Sequence, residues 1–172
     1  MYNSEYNIDA TQFLNNTFKI EVPTAGTTST VSVSLPDGLY SYTDINRSIQ
    51  TALVNAGAYL INPSGENVLY IQLTENSVYY AAQIDFSATP STLPTAGGTW
   101  TRPATGLYSS GGTGLPTTTR VPRLIIDYAS FGKVVGLTAG TYPSAPATVA
   151  SAQLLNIIPQ IHPTSSYIVR RD

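Results

Sequence analysis

Val33-Ser34-Leu35-Pro36-Asp37-Gly38-Leu39-Tyr40-Ser41-Tyr42-Thr43-Asp44-Ile45-Asn46 is the stretch whose reading decides the fold. It opens in strand register, with Val33 and Leu35 alternating with Ser32 and Ser34. Pro36-Asp37-Gly38 then has the residues of a tight turn. Ser41 follows as a helix cap, and Asp44 three residues on is the acid of a capping box. Beyond it Ile45, Ile49, Ala52, Leu53 and Ala56 recur at the spacing of one helical face, and Gly57 supplies the left-handed stop. The pattern predicts one amphipathic helix over about residues 42–56, its start and finish both written locally.

Upstream, Thr17-Phe18-Lys19-Ile20-Glu21-Val22 alternates with period two, and Pro23 is expected to end that strand. After a Gly/Thr/Ser turn, residues 30–35 alternate again, so the two runs read as a hairpin. Downstream, residues 58–61, 68–73 and 78–86 are strand-like and separated by turn chemistry, which predicts an antiparallel meander. Residues 87–122 are rich in Ser, Thr, Gly and Pro, with Trp100 and Tyr108 as the aromatics. So long a connection is expected to be functional or mobile, or to hide an irregular edge strand. Residues 124–128, 153–158 and 165–169 read as further strands. Residues 131–137 are too glycine-rich to predict more than one turn packed on the core.

These elements make the chain mainly β, an antiparallel β-sandwich or jelly roll with one amphipathic helix, with an open α+β sheet as the alternative. The 172 residues read as one domain, 1–172. Its abrupt start and end beside apolar segments make a longer parent chain the expectation.

Charged residues are only 10% of the chain, against about a quarter in typical domains, and Ser, Thr, Asn, Tyr and Gly take their place. Net charge is −2, and the basic residues are scattered apart from Arg170-Arg171. This argues against nucleic-acid binding, which needs several cations on one face. With no cysteine there is no disulfide framework or thiolate metal site. No apolar run approaches the ~18 residues of a membrane span, so no membrane insertion is expected.

Catalytic constellations are thin. His162, the sole histidine, lies between Ile161 and Pro163 with no signature of an oriented triad. Asp85 and Asp127 each lie near the end of a predicted strand, where a paired-acid site is conceivable, although such aspartates more often cap turns. Gly111-Gly112-Thr113-Gly114 lacks the Lys-Ser/Thr of a phosphate loop and reads as a flexible connection. The chain is therefore read as no enzyme, with no cofactor and no metal. Its twelve tyrosines suit interfaces or sugar stacking, and Tyr79, Tyr80, Trp100 and Tyr108 are the candidate contacts.

The stretch from Val33 to Asn46 resembles a segment of virion proteins encoded by Polinton-like elements and related eukaryotic DNA viruses. Val78-Tyr79-Tyr80-Ala81 and the run Phe131-Gly132-Lys133-Val134-Val135-Gly136-Leu137-Thr138-Ala139-Gly140-Thr141-Tyr142-Pro143 are similar to that group too, in the expected order. The resemblance implies a capsid-associated, penton- or spike-like component that acts by self-assembly and by host attachment. It implies as partners a homo-oligomer, other virion proteins and a host glycan or receptor, with the virion as location. A carbohydrate-binding or lectin-like adhesin, working outside the cell through Trp100 or an exposed tyrosine, is the alternative.

Overall fold

The computed structural model describes residues 6–76 and 81–161, which form nine strands and two helices. Strands β1 (Thr17–Thr24) and β2 (Thr27–Ser34) make the expected hairpin, in register from Thr17↔Ser34 to Thr24↔Thr27. Gly26, at φ 84°, turns the chain between them. Pro23 does not end β1: it pairs with Thr28 inside the ladder. The reason is the phase of the hydrogen bonds. The Leu35 N–H bonds the Asn16 carbonyl, and alternation along the ladder makes Pro23–Thr28 a pair that exchanges no hydrogen bonds. On its other side β1 pairs with β7 (Arg123–Ile126) only over Lys19–Glu21, so the missing proline N–H is not needed there either.

Strand β8 (Gly140–Tyr142) completes a four-stranded antiparallel sheet of order β2-β1-β7-β8. A second antiparallel sheet runs β5 (Ile71–Asn76), β6 (Ala81–Phe86), β9 (Ser151–Leu154). The expected meander is corrected here. Its middle run divides at Leu69-Tyr70 into β4 (Asn67–Val68), which pairs only with β3 (Leu60–Ile61), and β5, which joins the other sheet. The expected strand at residues 165–169 lies outside the described residues.

Helix α1 (Tyr42–Ala56) has both capping-box hydrogen bonds between Ser41 and Asp44, and Gly57 ends it at φ 70°. It buries Tyr42, Ile45, Ile49 and Leu53. A second helix, α2 (Ala129–Val135), stands where only a turn was expected. Gly132 is there for closeness rather than flexibility, since a Cβ on it would overlap the Leu137 carbonyl. Phe131 of α2 stacks on Phe18 of β1 with ring centroids 4.6 Å apart. Phe18 and Leu124, Leu73 and Ile84, Ile45 and Ile49, and Phe131 thus meet at one apolar centre drawn from both sheets and both helices.

Residues 87–122 form no named strand, yet they are tied into the fold at several points. The Leu107 and Tyr108 N–H groups bond the Ala56 and Gly57 carbonyls at the end of α1. Bridges Ile61↔Thr101 and Thr89↔Arg120 fix the segment on either side. Tyr108, 1% exposed, donates its hydroxyl to the Pro23 carbonyl at 2.8 Å. Tyr42 donates likewise to the Val135 carbonyl at 3.1 Å, tying α1 to α2.

Tyr108→Phe strands the buried Pro23 carbonyl and is expected to lower unfolding free energy by about 1–3 kcal/mol in urea titration. Burial pushes the phenols of Tyr42 and Tyr108 well above the ordinary tyrosine range and Tyr70 up to about 12. The fold therefore holds these groups un-ionised. Stability is full below the unfolded value near 10 and falls above it, by about 1.4 kcal/mol per pH unit for each, because only the unfolded tyrosines release protons. Circular dichroism melts between pH 9 and 12 are expected to show this decline, which a flat profile would contradict.

Candidate functional site

The clearest candidate is an apolar surface built by the turn after Ile8. The buried Asp9 carboxylate accepts the Thr11 and Gln12 N–H groups, and its carbonyl accepts those of Phe13 and Leu14. Asn15 returns to the same point, its side-chain oxygen accepting the Asp9 N–H. The turn so wound forces Leu14 to φ 52°, a left-handed conformation that costs a Cβ-bearing residue about 1 kcal/mol or more. The Ser130 hydroxyl of α2 then donates to the Leu14 carbonyl at 2.7 Å and holds the turn down.

The result is apolar side chains held in solvent. Leu14 is 68% exposed, and Tyr128 at the start of α2 is 55% exposed. Leu39, which follows the Pro36-Asp37-Gly38 turn, is 67% exposed, and Phe13 and Tyr6 are exposed as well. Two grooves flank Phe13 and Ser130. One, of about 620 Å³, runs past Tyr6, Leu39 and Lys133; the other, of about 450 Å³, runs past Leu14 and Tyr128. Covering such surface is worth about 2.5 kcal/mol per 100 Å² at about 25 cal/mol per Å². Ser130, common to both grooves, gives its proton to a carbonyl rather than to a base, so the arrangement suits binding by burial.

The residues singled out in the sequence fare differently. Tyr108 is not a surface contact, because its ring fills the core and its hydroxyl bonds Pro23. Trp100 is half-buried, with Nε1 donating to the Ala96 carbonyl at 2.8 Å. Tyr79, Tyr80 and His162 lie outside the described residues. Asp85 on β6 and Asp127, just after β7 of the other sheet, have separate partners: Asp85 accepts from Thr74 and Gln83, and Asp127 pairs with Lys19 at 3.1 Å. Gly111, Gly112 and Thr113 are exposed, while Gly114 bonds both Leu107 and Ala25 through the backbone. Among the described residues no group of three or more His, Asp or Glu is placed to hold a metal, and no helix is long and apolar enough to cross a membrane.

No family model matches the chain, and neither does a curated protein or a solved structure.

This apolar surface is not legible in the sequence, because the residues before Thr17 follow neither a strand nor a helix period. The available signal was the Phe13-Leu14 doublet, two apolar neighbours outside any strand or helix period. If the Leu14 side chain serves contact rather than folding, Leu14→Gly relieves the left-handed strain at little cost in burial. Its urea midpoint is expected to match or exceed that of the parent, by up to about 1 kcal/mol in unfolding free energy. A loss of more than ~1 kcal/mol would assign Leu14 to the fold instead.

Proposed function

We propose that this chain is a structural subunit of a virion, capsid-associated and penton- or spike-like, built as a β-sandwich of the jelly-roll kind and acting by self-association. The observation that carries the reading is the exposed apolar surface around Leu14, held out at the cost of backbone strain. A side chain that is both strained and largely solvated adds little burial to the isolated chain, which fits a use in contact.

Other features support the same reading. The two antiparallel sheets and both helices share one apolar centre, as the layers of a sandwich do. The resembling segments build structure: the Pro36 to Asn46 run enters α1, and the Phe131 to Pro143 run supplies α2 and β8. A net charge of −2 with few charges of either sign lets neighbouring copies crowd without repulsion. Other virion proteins are alternative neighbours at this surface, and attachment to a host glycan or receptor falls to the faces left free.

Light scattering of the full chain over a range of concentrations tests the proposal. The parent is expected to associate, and Leu14→Asp with Tyr128→Ser to weaken association at least tenfold, since centrally placed apolar contacts are worth about 1–2 kcal/mol each. A protein that is monomeric at the highest attainable concentration would sink self-association.

A further inference from the structure

The free edges of the sheets are not alike. On β5 the Leu73 N–H is taken by the Asn46 side chain of α1 at 2.8 Å, and Glu75 adds a charge. β8 and β9 are short, at three and four residues. β2 is the exception, an edge strand of eight residues, Thr-Thr-Ser-Thr-Val-Ser-Val-Ser. Edge strands are ordinarily guarded by a charge, a proline, a bulge or shortness. β2 has none of these: its register runs unbroken from Thr27 to Ser34 with no charged residue and no proline.

The ladder phase that accommodates Pro23 also says which groups are free. Residues 27, 29, 31 and 33 bond toward β1, so the backbone N–H and C=O groups of Thr28, Thr30, Ser32 and Ser34 point outward. Beside the C-terminal half of this edge lies a groove of about 590 Å³, walled by Ser32 and Ser34 on the strand and by Arg47, Ser48, Thr51 and Asn55 on α1, with the Arg47 charge paired to Asp44. The other half of β2 does not line this groove and leads to the Ala25-Gly26 turn, where the Ala25 N–H bonds the Gly114 carbonyl.

We propose that β2 pairs antiparallel with β2 of a second copy of this chain about a two-fold axis. Antiparallel pairing brings the slim turn end of one copy to the α1-walled groove of the other, and the converse, so each groove is filled by the half-strand that carries no helix. The outward groups all meet when Thr30 faces Ser32 and Thr28 faces Ser34 of the partner copy, with Val31 facing its own symmetry mate. A second copy is favoured as occupant because the strand is uncharged. Self-pairing sets no like charges opposite one another and places Thr and Ser hydroxyls across from each other. The inference rests on the self-association proposed above and adds its register.

The chain has no cysteine, so one introduced thiol reports the register alone. Val31→Cys is expected to oxidise to a disulfide-linked dimer, since facing residues at the axis lie within bonding reach, while Ser29→Cys, which faces residue 33, is expected to stay unlinked. Thr30→Lys with Ser32→Lys gathers four ammonium groups around the axis through solvent-facing side chains. It is expected to weaken dimerisation at least a hundredfold in light scattering with an unchanged circular dichroism melt. Equal linking of Ser29→Cys, or undiminished association of the lysine variant, overturns the β2 pairing. If the Leu14 variants then disperse the assembly, the proposed function stands without it; if the parent is monomeric throughout, both fall. A monomer that binds an added Ser/Thr-rich extended peptide at β2 assigns the edge to a separate partner and overturns the proposal.

Discussion

Much of this architecture hangs on a contact between two backbones that carry no side chains at the point of contact. A Cβ on Gly57 would stand 2.5 Å from Gly106 Cα, and one on Gly106 would stand equally close to Gly57 Cα. Both residues have positive φ, 70° and 99°, so glycine is required twice over, by conformation and by space. The closeness lets the Leu107 and Tyr108 N–H groups reach the last carbonyls of α1, which a helix end otherwise leaves to water. From there Tyr108 reaches β1. One glycine pair thus joins the helix, the long connection and the four-stranded sheet, and the ordering entropy of residues 87–122 is offset by backbone bonds and a buried ring rather than by a wide apolar face.

That constraint explains where the sequence could be read and where it could not. Helix α1 was legible in full because its signals are local: a capping box at Ser41 and Asp44, a stripe at helical spacing and Gly57 at the end. The β1–β2 hairpin was legible from alternation. Pro23 was misjudged because its place depends on ladder phase and on β7 stopping short, both properties of the partners. α2 was underestimated because Gly132 reads as a helix breaker until its neighbour, the Leu137 carbonyl, is known. Tyr108 drew attention as an isolated aromatic in a polar stretch, and only the Gly57–Gly106 contact turns it inward. The surface around Leu14 left almost no trace, since its exposure comes from a turn wound on a buried aspartate.

With few charges available, this chain ties its loops with phenols. Tyr40 donates to the Pro36 carbonyl, Tyr42 to Val135, Tyr108 to Pro23 and Tyr142 to Thr138. Each bond closes a turn or joins two elements without leaving a net charge behind, and the ring supplies packing that a lysine or glutamate would not. Four of the twelve tyrosines that suggested a binding surface are used in this internal carpentry.

The same economy bears on the edge of β2. Soluble sheets usually keep other strands away from their edges with lysine, and eight Lys and Arg in 172 residues leave few for that purpose. Beside the first sheet Lys19 is paired with Asp127, Arg123 with Glu21, and Arg47, on α1 next to β2, with Asp44, so none stands on β2 itself. A chain selected to remain apart from its copies would be expected to place at least one charge or proline along an eight-residue edge strand. The serine, threonine and valine found there, and the solvent-held Leu14, are what the proposed self-association would use.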